Sequence, residues 1–519
     1  MDTKDIEMVD SNSRVGKSLL NARVNLIFYF LSLILSFFSR KIFLDYLGVE
    51  FIGLTTTLQN LLGFLNLADL GIGASIGYVL YKPLFDKDER KINEIISVLG
   101  YLYNRIGIVI LSAGIVLSCF LPMIFHDTDI SLGVIYAVYY GFLASSLIGY
   151  FINYRQTLLG ADQRNYIVTG YFQTATIVKT IIQMVVAIYW CNFYVWIIIE
   201  LSFNVLYAFV LNYKIDKQYP WLKSTVALGK KHYGEYKIII TKAKQMFVHV
   251  LAGMGRNQLL PFLVYAFGNL TIVAYYGNYT IVTQKVQTLF DQFLNSTGAG
   301  VGNLIAEGNK QKTMEIYWEL LFVRFAVAAF IVFSLYVLID PFISIWLGTK
   351  YLLPKYIICI LLLNVFLGQT RGTTEQFVYG YGLFHDVWAP IATLVITVGV
   401  GLIGGYFFGL AGVIMGDCSS SLLILHVWKP YFLFTQGFKE PILLYIKNLL
   451  HILAIIVLSF ASSLFILKMV GANTAQGYLQ WALYSLLSVT IYLIIFLSLS
   501  YFMYPPMRKF VKRITKSFR

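Results

Sequence analysis

Apolar stretches of about twenty residues recur from residue 21 to residue 503. Twenty residues of helix rise about 30 Å, the thickness of a bilayer's hydrocarbon core. No water reaches backbone groups there, so a chain that crosses repeatedly must do so as helices or as a closed barrel. These runs are too long and too continuously apolar for barrel strands of alternating character. The rest of the composition agrees: 58% of residues are hydrophobic, 13% are charged, and the mean hydropathy is +0.70. A soluble chain of 519 residues could not cover its surface with so few charges. The expected class is an all-α polytopic membrane protein. The first apolar run carries no small-residue cleavage site and leads into further spans, so it reads as a retained helix and not as a signal peptide.

Fourteen spans are expected, at about 21–44, 52–81, 93–121, 132–153, 166–189, 194–213, 245–267, 272–305, 315–339, 356–380, 387–405, 409–428, 445–467 and 480–503. With the amino terminus inside, the connectors alternate sides. "YKPLFDKDERKINE", "YRQTLLGADQRN", the segment 214–244, "EGNKQKT", "WKPYFLFTQGFKEP" and the tail "PPMRKFVKRITKSFR" then face inward. They and the amino-terminal tail hold nearly all the loop Lys and Arg; the outward connectors keep only Lys350, Lys355 and Lys468. This asymmetry is the positive-inside pattern and places both termini in the cytoplasm. It also accounts for the net charge of +14, which in a soluble protein would suggest nucleic acid as partner.

The division expected is an amino-terminal tail (1–20), a first six-helix lobe (21–213), a basic linker (214–244), a second six-helix lobe (245–433), two further helices (434–503) and a basic tail (504–519). "FLNLADLGIG" (64–73) and "FLNSTGAGVG" (293–302) echo each other in the second helix of each lobe. Six-helix halves of one orientation imply pseudo-symmetric lobes around a central cavity, an arrangement suited to alternating access.

Polar residues inside the spans fall on shared helical faces. Asn25, Ser32, Ser36 and Arg40 share an arc in span one; Gln59 and Asn66 do so in span two, with Asp69 to one side. Gln245, His249 and Arg256 line up in span seven, and Gln284, Thr288, Asp291 and Asn295 in span eight, bordered by Lys285. Asn364, Arg371 and Glu375 line up in span ten. Neutral members of such stripes commonly hold helices together. Arg371 and Glu375, one turn apart, are placed to pair, and Arg40 to snorkel to the surface. Arg256 is harder to place: it falls near mid-membrane, where a charge costs at least ~2.5–3.5 kcal/mol, with no acid one turn away. Either an acid on another helix pairs with it, or it faces a polar cavity. Arg40, Arg256, Lys285, Arg324 and Arg371 outnumber Asp69, Asp291 and Glu375, so such a cavity is cationic and suits an anionic, phosphate-bearing cargo.

Other patterns say little. The four cysteines stand singly and read as free buried thiols, the six histidines form no metal-binding spacing, and no metal or cofactor is expected. "GIGASIG" (71–77) follows no strand, so helix packing explains its glycines. The Asp-x-Asp of "FHDTDIS" sits in a short connector, and no phosphate-binding loop for ATP is present.

Taken in order, "DYLGVEFIGL" (45–54), "LNLADLGIGASIGYVLYKPLFDKDERKI" (65–92), "GNYTIV" (277–282), "STGAGVGNLIAEGN" (296–309), "YGYGLFHDVWAP" (379–390) and "FGLAGVIMGDCSSSLLILHVWKP" (408–430) resemble the polysaccharide transporter branch of the multidrug/oligosaccharidyl-lipid/polysaccharide exporter superfamily, the Wzx-type flippases. That resemblance implies a non-enzymatic flippase of the bacterial inner membrane. It would move undecaprenyl-pyrophosphate-linked oligosaccharide units between leaflets for O-antigen, capsule or exopolysaccharide assembly, alongside membrane lipid and partner polymerases and with no nucleic acid. The cavity residues it would use are Asn25, Arg40, Asn66, Arg256, Gln284, Lys285, Asn295, Arg324 and Arg371. Where relatives carry an acid after "MFVHVLAGMG", this chain has Arg256-Asn257, leaving Asp69, His249, Asp291 and Glu375 as candidates for coupling to an ion. A cation antiporter of the same superfamily and a lipid II flippase are the alternatives; a membrane-embedded polymerase or ligase would need a larger outward loop.

Overall fold

The computed structural model describes residues 14–65, 72–162, 164–236, 259–295, 301, 304–305, 307–383, 385–386, 388–470, 477–504 and 507–508. These are helical almost throughout, and eleven of their helices are long and apolar enough to cross a bilayer. The chain forms two compact units: Met1–Phe262 with Asn269–Ala274, and Leu263–Gly268 with Tyr275–Arg519.

The first unit contains α1 (Arg14–Tyr46), α2 (Val49–Leu65), α3 (Ile72–Asp86), α4 (Glu89–Ser118), α5 (Leu132–Phe151), α6 (Asn165–Trp190), α7 (Phe193–Gln218) and the short α8 (Val226–His232). Neighbours in sequence pack as antiparallel hairpins, α4 on α5 and α6 on α7, while α1 lies along α6. Asp88 caps α4 by accepting the Lys91 amide at 3.0 Å, and that bond holds its carboxyl below the usual carboxylate range. The basic linker is fastened down. Asn93 on α4 donates to the Trp221 carbonyl at 3.1 Å and accepts the Lys223 amide at 2.6 Å. Gly229 of α8 rests against the Ser97 backbone with no room for a side chain.

The second unit holds most of α9 (Leu270–Asn295), then α10 (Lys310–Trp346), α11 (Lys355–Thr370), α12 (Gly372–Gly380), α13 (Trp388–Phe408), α14 (Leu410–Ser420), α15 (Ile442–Met469) and α16 (Tyr478–Met503). Gly409, at φ +56°, makes the tight turn between α13 and α14, a conformation other residues rarely adopt. Beyond it the two helices touch backbone to backbone at Gly404 and Gly412. The last two helices belong to this unit's aromatic core. Tyr492 stacks on Phe333 with centroids 4.3 Å apart, and Tyr504 on Phe322 at 4.7 Å, so α16 is laid along α10.

Three expected spans differ in detail. The second, 52–81, is two helices, α2 and α3, whose junction at 66–71 lies outside the described residues. The tenth is interrupted at Arg371, between α11 and α12, but Arg371 keeps helical backbone angles and Lys355–Gly380 runs on as one crossing-length helix. The twelfth continues past 428: α14 widens into π-helix at Ser421–Trp428 and again at Leu433–Phe438. The expected eighth span, α9, is long enough to cross but too polar in its second half to rank among the eleven. The four cysteines are free, yet only Cys418 is buried; Cys119, Cys191 and Cys359 are exposed, because each lies on an outward helix face or turn.

Candidate functional site

The interruption in the tenth span organises a cluster of polar groups within the second unit. Helix α11 ends at Thr370 and α12 begins at Gly372, with Arg371 between them. Arg324 of α10 is 4% exposed, and its guanidinium lies flat on Gly372, where a methyl group would not fit. It donates to the Gln369 carbonyl at 3.4 Å and meets the Asp291 carboxylate of α9 at 3.9 Å. Arg371 meets Glu375, one turn on, also at 3.9 Å. Both ion pairs are therefore beyond hydrogen-bonding distance. The side-chain oxygen of Gln369, buried beside them, accepts no hydrogen bond.

A second layer comes from α14 and its π-helical continuation. Asp417, 5% exposed, accepts from the Asn364 amide at 2.6 Å. His426 bridges back to the interruption: one ring nitrogen is 2.8 Å from the Thr370 hydroxyl and the other 3.0 Å from the Ser421 carbonyl. Nearby, Lys429 pairs with the buried Asp386 at 2.6 Å.

The first unit has a charged pair of its own inside a hairpin. Lys179 of α6 and Glu200 of α7 meet at 2.6 Å, with both side chains less than 15% exposed. Gln183 and Asn204 donate to the same carboxylate at 3.1 and 3.3 Å. Asn204 also lines a crevice of about 290 Å³ with Ser145, Asn153, Gln156, Phe172 and Tyr207.

The sequence-derived residues separate as follows. Arg324, Arg371, Asp291 and Glu375 come together as two ion pairs. Lys285 is half-buried on α9, one and a half turns from Asp291, and Gln284 is exposed. In α1, Arg40 donates to the Ala274 carbonyl at 2.9 Å, Ser32 bonds Gln173 of α6, and Asn25 is exposed. Asn66, Asp69, His249 and Arg256 lie outside the described residues, and Asn295 is described only as the last residue of α9. Glu200, Gln369, Asp417 and His426 were not singled out from the sequence. Glu200 was legible: it and Lys179 stand at comparable depths on the two arms of one hairpin. Glu94, His232 and Glu235 bring ligand atoms within 4.8 Å of one another at the linker. Arg90 and Tyr236 already hold the Glu94 carboxylate, at 3.1 and 2.8 Å, so this group fastens the linker to α4.

No protein-family model and no curated protein matches the chain. Solved structures do. A lipid II flippase, MurJ, in an inward closed conformation covers 93% of this chain and 99% of its own, with a TM-score of 0.63 at 16% identity. An inward-facing multidrug resistance MATE family transporter of the MOP superfamily covers 81% and 99%, at 0.58 and 14%. The chain shares its fold with these two structures. A MOP superfamily transporter from Pyrococcus furiosus, described as having a binding pocket of reverse polarity, covers 82% and 95%, at 0.50 and 15%.

Proposed function

We propose that the chain is a flippase for a lipid-linked, phosphate-bearing oligosaccharide, of the undecaprenyl-pyrophosphate type, in a bacterial inner membrane. The observation that carries the reading is Arg324. It is a buried guanidinium, seated on Gly372 at a helix interruption, whose acid stands 3.9 Å away. Arg371 is held by its own acid at the same distance. Guanidinium forks match phosphate oxygens better than a loosely placed carboxylate does, so an incoming head group can replace Asp291 and Glu375 as partner. Sugar hydroxyls cost several kcal/mol each to strip of water in hydrocarbon. Amides and hydroxyls such as Gln369 and Thr370 offset part of that cost. Coverage of this chain is greater for the lipid II flippase than for the multidrug transporter, which also supports a lipid-linked cargo.

The test is a flip assay in proteoliposomes with a labelled undecaprenyl-pyrophosphate oligosaccharide, comparing wild type with Arg324→Ala, Arg324→Lys and Arg256→Ala at matched insertion. Wild type is expected to flip the lipid, Arg324→Ala to lose at least tenfold, about 1.4 kcal/mol of barrier, and Lys to recover part. Wild-type protein that leaves the lipid unmoved while exporting a cationic dye would replace this reading with the cation antiporter.

A further inference from the structure

We infer that His426 is a proton-binding site that reports to the interruption in the tenth span. The inference rests on what its two ring nitrogens face. The Ser421 carbonyl, five residues back and 3.0 Å from Nδ1, can only accept, so Nδ1 carries a hydrogen. That i to i−5 contact spans the π-helical turn of Ser421–Trp428, a distortion that turns up most often at functional sites. Nε2 faces the Thr370 hydroxyl at 2.8 Å. A hydroxyl can donate or accept, and this one has a second acceptor, the Phe366 carbonyl at 2.9 Å.

Two complete hydrogen-bond arrangements follow from the same heavy-atom positions. In neutral His426, Thr370 donates to Nε2. In the imidazolium, Nε2–H donates to Thr370, whose own hydrogen turns to Phe366. Proton uptake therefore needs only a hydroxyl rotation, and it changes which group the last turn of α11 is bonded to, immediately before Arg371.

The charges that reach His426 are Arg371 and Glu375, at and just past the interruption. An added proton gives Glu375 a second cation and loosens its hold on Arg371. The other elements packed on the π-helical segment are α11, α13, α14 and Lys429–Phe432. The described titratable groups of α11 are Lys355, Tyr356 and Cys359, at its far end, and α13 has only Tyr406. Of the groups on α14, Asp417 is bonded by Asn364 and Cys418 donates to the Ile360 carbonyl; on Lys429–Phe432, Lys429 is bonded by Asp386 and Tyr431 is exposed. The site stands apart from the identity of the cargo, and its test needs none.

Solid-state NMR of the full chain in proteoliposomes, with isotope-labelled histidine, follows the ring nitrogens across roughly pH 5 to 8. His426→Gln identifies the signal; should that variant fail to insert, Thr370→Val does so by displacing it alone. The expected result is a titrating His426 whose midpoint falls by about half a unit or more in Thr370→Val, because a bond to the charged form is worth more than one to the neutral form. A His426 that keeps one protonation state over this range, or one that titrates identically without the Thr370 hydroxyl, overturns the inference. Intact titration in a protein that flips no lipid would support the proton site while sinking the cargo reading.

Discussion

At Gly372 a single added methyl group would meet the Arg324 guanidinium. The atoms it would displace belong to the far end of Arg324, so the fold can give way cheaply. Alanine also favours helix over glycine by about 1 kcal/mol. Gly372→Ala is therefore expected to unfold at the same temperature as wild type or slightly higher, while its flip rate falls at least about tenfold. An unchanged flip rate at matched insertion would separate Arg324 from the cargo. The pair in the first unit behaves in the opposite way. Lys179→Met and Glu200→Gln each strand a charge among buried neighbours, which costs about 3 kcal/mol or more. The double variant should be more stable than the sum of the singles implies, by about 1–3 kcal/mol, in a thermal-unfolding double-mutant cycle. Additive losses would show that the 2.6 Å contact contributes nothing specific. Of these residues the sequence announced the arginines, because a guanidinium in an apolar run stands out. It did not announce Gly372 or His426, whose importance comes from what packs on them.

At the scale of the element, the spans were readable because hydropathy alone sets where a helix can cross. Their interruptions were not. The interruption at Arg371 has no proline, whereas the two π-helical turns of the twelfth span flank Pro430 and the second contains Gly437. The α11–α12 junction meets Arg324 from another helix, which one-dimensional periodicity does not record. The α13–α14 hairpin is the converse case: its glycines at 404, 409 and 412 were visible, and the structure puts two of them in backbone contact. Gly412→Val must push the hairpin apart, at about 1–3 kcal/mol for overpacking. Its unfolding temperature should drop measurably, whereas Gly399→Ala, which faces open space inside α13, should leave it unchanged or slightly raised. Equal effects at the two positions would discount the close approach.

For the whole molecule, the expectation still to be met by experiment is orientation. The positive-inside pattern requires the α8 segment and residue 468 to lie on opposite sides. With the four native cysteines replaced, a cysteine at Lys230 should react with a membrane-impermeant maleimide only after cells are opened, and one at Lys468 in intact cells. The reverse labelling would invert the topology and, with it, the direction of transport. The two closing helices illustrate a different limit of sequence reading. Their apolar character was plain, but their attachment to α10 through Phe333–Phe460 and Phe333–Tyr492 joins residues more than 120 positions apart.

Helix α10 is 37 residues long, about 55 Å, nearly twice the hydrocarbon thickness. Arg324 sits close to its middle. One end is tied by Lys310 to Glu440, at 2.8 Å, and the other by Asp340 to Lys355, at 3.1 Å. Were the stretch between these ion pairs to tilt as a rigid rod, the helix would be a lever pivoting at the site with a latch at each end; its one proline, Pro341, falls just past the second latch. Arms of about 21 and 24 Å mean that a tilt of roughly 10° swings each end by about 4 Å in opposite directions. Such a swing would strain one latch and the other together, so an event at Arg324 would be felt on both faces of the membrane at once.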